Sequence, residues 1–203
     1  MDILVGELLE AVGRLTPLDH ELLAHLKIPG VILLRGLVGT ARIRLSPDET
    51  SYEPADSGPW AYITPCRIDN PFSPETPAPD VMVAQWGSLI DLVAWHPDRP
   101  DRWALRLGFA DWLGSCEPQY LKAGCLVRRS PLSWLRGRCH GVVPLGAKAE
   151  DRARVLRFLG PLYAEDLEHA QELRRLMEQP THIPGIKVGD ANHAEDRGRT
   201  VET

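Results

Sequence analysis

Eight prolines between residues 46 and 80, at positions 47, 54, 59, 65, 71, 74, 77 and 79, exclude a helix of any length from that stretch and divide the chain unequally. Only Trp60-Ala61-Tyr62-Ile63 reads as a strand inside it. So long an irregular segment is expected to be a functional loop or a linker, packed in part on a core through that apolar island. The expected organisation is residues 1–45 as N-terminal helices and a strand hairpin, 46–80 as the proline-rich loop or linker, 81–179 as an α/β domain, and 180–203 as a mobile tail. Whether these parts make one domain or two stays open.

Within the first part, Ile3, Leu4, Leu8, Leu9 and Val12 follow the period of an amphipathic helix. Thr16 before Pro17 reads as an N-cap with proline at the first helical position, opening a second helix that runs through Leu26. The two form a helical hairpin. After Pro29-Gly30, the aliphatic run Val31-Ile32-Leu33-Leu34 suits a buried strand that turns at residues 36–39 into a second strand, 39–45. There Ala41, Ile43 and Leu45 alternate with Arg42 and Arg44.

The middle of the chain offers strands at 81–86, 89–95 and 103–107, the last two joined by a turn over 96–101, with a helical turn at 109–113. The second of these strands is almost continuously apolar, as expected of one buried on both faces. From Cys125 onward, strands at 126–128, 141–145 and 162–164 alternate with helices at 131–136, 149–159 and 166–177, the rhythm of a parallel βαβ layer. The fold class is read as α+β: an N-terminal helical hairpin, a small, mostly antiparallel central sheet, and a C-terminal βαβαβα layer.

The net charge of −5 conceals an asymmetry. From Arg99 to Arg157 twelve Lys or Arg face five Asp or Glu, an excess of seven positive charges inside an acidic chain. Five of the six tryptophans, Trp86, Trp95, Trp103, Trp112 and Trp134, lie within this basic stretch or shortly before it, where they could fill the core or stack on unpaired bases. Core is the expectation for most, with Trp103 and Trp134 left open. Residues 1–9 lack the basic leader and cleavage site of a secretory signal, and no apolar run approaches the roughly 20 residues that span a bilayer, so residence in the cytoplasm without membrane attachment is expected.

Motifs narrow the chemistry by their absence. The sequence holds no G-x-S-x-G, no phosphate-binding or dinucleotide-binding glycine pattern, and no H-E-x-x-H. Cys66, Cys116, Cys125 and Cys139 have no C-x-x-C spacing, so they read as reduced core thiols rather than zinc ligands, and neither metal nor cofactor is expected. His20 and His25 read as surface or packing histidines. No catalytic residue can be named, although an enzyme site assembled from dispersed residues stays open. Asp91 interrupts an apolar strand and needs a partner if buried, with Arg102 or Arg106 as the candidates.

Two stretches carry a resemblance. Leu89-Ile90-Asp91-Leu92-Val93-Ala94-Trp95-His96-Pro97, Arg102-Trp103-Ala104-Leu105-Arg106, Trp112-Leu113-Gly114, Ser130-Pro131-Leu132-Ser133-Trp134-Leu135 and Ala164-Glu165-Asp166-Leu167-Glu168-His169-Ala170 resemble an uncharacterised family from prophage-like regions of GC-rich bacterial genomes. That resemblance covers about residues 80–190 and implies a mobile-element setting without a known activity. The element order over residues 125–178 is similar to the core of Toprim domains, in which a glutamate after the first strand and a later D-x-D hold Mg²⁺. Val127-Arg128-Arg129-Ser130-Pro131-Leu132 lacks that glutamate, and Asp166-Leu167-Glu168 sits where helix capping explains it. The resemblance therefore implies a degenerate, non-catalytic Toprim-like segment.

The resulting expectation is a non-catalytic accessory protein of a phage or mobile element that binds DNA or RNA in replication, with Arg128, Arg129, Arg136 and Arg138 meeting phosphate. It requires those guanidinium groups to be free. The alternative is a protein-interaction or regulatory module that engages a protein partner through the acidic proline-rich loop and tail.

Overall fold

The computed structural model describes residues 3–67, 89–114 and 124–178. Three helices open the chain: α1 (Ile3–Gly13), α2 (Pro17–His25) and α3 (Gly30–Leu34). The Thr16 hydroxyl accepts the Asp19 N–H while the Asp19 carboxylate accepts the Thr16 N–H, a capping box that starts α2 behind its first-turn proline. The expected strand at 31–34 is instead α3. Only Ile32 of that run is deeply buried, with Leu34 79% exposed, so one side faces the core as a helix requires and two-faced strand burial is absent. A short apolar run carries no period that separates the two.

Five strands form the central sheet: β1 (Gly39–Leu45), β2 (Tyr52–Pro54), β3 (Trp60–Arg67), β4 (Leu89–His96) and β5 (Arg99–Leu105). Their order is β2-β1-β3-β4-β5, every pairing antiparallel. Both β2 and β3 come from the proline-rich stretch. Pro65 is tolerated in β3 because it lies beyond the β1 register, which ends at the Gly39–Ile63 pair, so no partner on that side needs its missing N–H. Ser51 bridges to Leu105, whose N–H donates to the Thr50 carbonyl at 3.0 Å, so the ends of the sheet approach and it curls into a half-barrel. The turn between β4 and β5 is tighter than expected, His96 pairing with Arg99.

Leu4, Leu8 and Ala11 of α1, at helical spacing, cover one face of this sheet against Ala41, Ala61, Ile63, Leu92 and Ala94. Contact is close enough that a Cβ at Gly39 would lie 2.5 Å from the Ala11 carbonyl carbon. The other face carries Tyr62, Cys66, Val93 and Trp95 into the main core with α2, α3 and the C-terminal segments. Burial on both sides explains the unbroken apolar reading of β4.

The C-terminal part is made of short pieces: β6 (Trp112–Leu113), β7 (Cys125–Leu126), α4 (Pro131–Arg136), β8 (Val143–Pro144), α5 (Ala149–Leu156), β9 (Leu162–Tyr163) and α6 (Leu167–Glu178). β7 pairs in parallel with β9, and Val127 with Val142, whereas β8 pairs antiparallel with β6. Among the described residues of this part, parallel character is thus confined to the two-residue β7–β9 contact and the single Val127–Val142 bridge rather than a full layer. The expected helical turn at 109–113 is a loop leading into β6. The expected strand at 81–86, with Trp86, lies outside the described residues, as do Cys116 and the tail 180–203. Among the described residues no helix is long and apolar enough to cross a membrane.

Candidate interaction surface

Asp91, third in β4, is fully buried, and its partners are backbone amides rather than the expected arginines. Oδ1 accepts the N–H groups of Leu92 at 2.8 Å and Leu107 at 2.9 Å; Oδ2 accepts those of Phe109 at 2.8 Å and Ala110 at 3.3 Å. Hydrogen bonds to a charged acceptor contribute about 1.5–3 kcal/mol each. The carboxylate therefore clamps residues 107–110 onto the sheet. Gly108, at φ +76° with open space where a Cβ would be, makes the turn between them. The loop so fixed leaves Leu107 39% exposed and the Phe109 ring 75% exposed.

The two expected partners act elsewhere. Arg106 holds Glu7 of α1 through Nε at 3.0 Å and Nη2 at 3.1 Å, fastening the end of β5 to the first helix. Arg102 meets Glu49 at 3.1 Å on the surface. An acid in an apolar strand followed by a Leu-Gly-Phe-Ala loop is the only sequence signal for the amide clamp, and the pairing required the fold.

Of the four arginines expected to meet phosphate, three come together. Arg128, Arg129 and Arg136 line a hollow of about 550 Å³ beside α4, and Arg138 does not line it. Three carboxylates, Asp101, Glu165 and Asp166, line the same hollow. Arg128 is mostly buried, with Nη1 3.1 Å from Glu165 and Nε donating to the His140 carbonyl at 3.1 Å. Gly137 makes room for it, since a Cβ there would lie 2.3 Å from Arg128 Nη2. Arg129 donates to both Asp166 oxygens at 2.6 and 3.0 Å and lies 3.3 Å from Glu172 and 3.5 Å from Glu168. Hydrogen bonding to Asp166 and Glu172 raises the Arg129 pKa still further, and the same guanidinium holds Asp166 below the usual carboxylate range. Arg136 Nε donates at 2.6 Å to the Leu26 carbonyl at the end of α2. Arg138 is exposed in the left-handed turn after α4, at φ 56°.

Asp166 also accepts the His169 N–H at 2.8 Å, which caps α6 as the sequence suggested. The thiols of Cys66, Cys125 and Cys139 are buried and outside any disulfide; burial pushes Cys125 up to about 11 and the other two well above the ordinary value. Trp95 and Trp134 are core residues, donating their indole N–H to Thr64 Oγ1 and the Gly141 carbonyl, and Trp103 donates to the Leu145 carbonyl. His20 and His25 are exposed. Among the described residues no group of three His, Cys, Asp or Glu side chains is placed to hold a metal ion. Searches against family models, curated proteins and solved structures return no match for this chain. Any functional reading therefore rests on the geometry itself.

Proposed function

We propose that the protein is a protein-interaction module whose recognition element is the loop at residues 107–110, with Phe109 as its anchor. The supporting observation is the Asp91 clamp. An exposed Phe by itself is common on protein surfaces. A buried carboxylate that accepts three amides of the loop that displays one is not, and it fixes the backbone before any partner arrives. A pre-ordered loop loses little conformational entropy on binding, and a large aromatic seated in a partner's apolar socket is a typical hot spot. This moves the interaction role away from the proline-rich stretch, part of which builds β2 and β3, while residues 68–80 and the tail lie outside the described residues. Such a module fits an accessory role in a phage or mobile element.

The test uses the full chain as bait in lysate of cells that naturally make it, comparing wild type, Phe109→Ser and Arg129→Ala by quantitative mass spectrometry. At least one protein should be enriched by wild type and Arg129→Ala and lost with Phe109→Ser. An unchanged set of captured proteins for Phe109→Ser would refute the reading.

Nucleic-acid binding is the second reading, favoured by the convergence of Arg128, Arg129 and Arg136 on one hollow. It has less support, because a phosphate must displace the acids that already neutralise two of the three. Salt-dependent binding of single-stranded DNA, weakened by Arg136→Ala, would favour it.

A further inference from the structure

At the His96 end of β4, opposite Asp91, α2 and the β4–β5 turn enclose a hollow of about 720 Å³. That is within the range of small-molecule sites. One wall is aromatic, made by Trp60, 50% exposed, and by Tyr62. Leu22 and Leu26 supply apolar surface from α2 and its C-cap.

Asp19 and Asp98 are the carboxylates of the lining, which also holds the imidazoles of His25 and His96; His96 Nδ1 accepts the Asp98 N–H at 3.2 Å and lies 3.6 Å from its carboxylate. Asp19 receives hydrogen bonds from the Tyr62 hydroxyl at 3.2 Å and from the Thr16 hydroxyl at 2.6 Å. Partial burial pushes its carboxyl upward, but the hydrogen bonds from Thr16 and Tyr62 outweigh this and hold it below the usual value, so it is ionised near neutral pH. Asp98 stands at the rim with its side chain 86% exposed. Among the described residues, Arg14 is the sole lysine or arginine of the lining, and Glu10 already pairs with it. Trp60 is held in place by Arg42, whose guanidinium carbon stacks 4.6 Å from the ring centroid while Nη1 donates to the Gly58 carbonyl at 2.8 Å.

We infer that this hollow is a binding site for an organic cation: an alkylammonium or guanidinium group on an apolar stem, its charge between Asp19 and Asp98 and its stem along Trp60, Leu22 and Leu26. An anion would meet two carboxylates there. A neutral apolar molecule would leave both without a counter-charge. A cation gains from the acids and from the aromatic wall together. The inference is independent of the Phe109 loop, which sits at the other end of the same strand.

The experiment titrates the ¹⁵N-labelled full chain with 1,6-diaminohexane, hexane-1,6-diol and adipate, three chains of equal length and different charge, following the Trp60 indole N–H by NMR. The diamine should shift that signal saturably, the diol should bind at least about tenfold more weakly, and Asp98→Asn should weaken the diamine severalfold. Asp98 is exposed, so that variant leaves the fold intact. Equal binding of diol and diamine, or no effect of Asp98→Asn, would overturn the inference. A second arm uses N-acetyl-Gly-Lys-Gly-amide. Tighter binding than the diamine assigns the cation to a basic side chain of a partner, and weaker binding assigns it to a free amine.

Discussion

Asp91 is fully enclosed, yet Phe109, whose N–H it accepts at 2.8 Å, keeps three quarters of its surface in solvent (75% exposed). A fully buried carboxylate thus serves a side chain that stays largely in solvent. Replacing Asp91 by Asn keeps the shape but sets an NH₂ group against backbone donors. Asp91→Asn should lower unfolding stability by about 2–4 kcal/mol in urea denaturation, because a buried donor is left facing a donor. A loss under about 1 kcal/mol would mean that the amides find other acceptors.

Phe109→Ser should leave stability within about 0.5 kcal/mol of wild type, since an exposed ring makes little of the core. Denaturation midpoints check this. A large loss would assign Phe109 a structural role and remove its status as an anchor.

Arg128 and Glu165 join the loop before α4 to the start of α6, with both side chains largely shielded, at 18% and 17% exposure. Arg128→Ala and Glu165→Gln should each destabilise by about 1–3 kcal/mol, and the double variant by less than the two together. A double-mutant cycle measures the coupling; strict additivity would show that the pair is not an energetic unit.

His169 is buried in α6, and its Nδ1 accepts the Glu165 N–H at 3.2 Å, which needs the unprotonated ring nitrogen. Burial first, and Arg129 second, lower its pKa below 6.5, while Glu165, Glu172 and Asp166 pull the other way. The unfolded chain therefore holds this proton more tightly than the folded one. The resulting stability is complete above pH 6.5 and is lost as pH falls through that value towards the folded pKa. Thermal unfolding between pH 7.5 and 5 should show the decline, and His169→Asn, which keeps an acceptor near the Nδ1 position, should flatten it. An unchanged slope in that variant would place the pH dependence elsewhere.

One capping signal was legible before the fold was. Thr16-Pro17 opens a helix with a capping box, because the side-chain acceptor and the orphan amides lie within one turn of sequence; Ser130, which the sequence reading passes over, caps the helix at 131–136 in the same way. The alternation of β1 and the helix α6 were readable for the same local reason. The Val31–Leu34 run was not, since a few apolar residues fit either period, and β2 was hidden by the proline-rich composition around it. The surroundings of the arginines were less legible. The basic excess was counted over residues 99–157, and the acids that neutralise Arg128 and Arg129, namely Glu165, Asp166, Glu168 and Glu172, begin just past that window. Sequence distance concealed what packing α6 against the loop before α4 brings together. Asp91 was recognised as needing a partner, but nothing local marks amides 16 to 19 residues away as its donors.

Amide hydrogen exchange at Leu107 and Phe109 in the full chain tests the clamp most directly. With the carboxylate in place both amides should exchange as slowly as those of β4, despite lying in a surface loop, and Asp91→Asn should accelerate them by orders of magnitude. Exchange in the wild-type chain at the rate of an open loop would contradict the account, leaving Phe109 an ordinary exposed side chain.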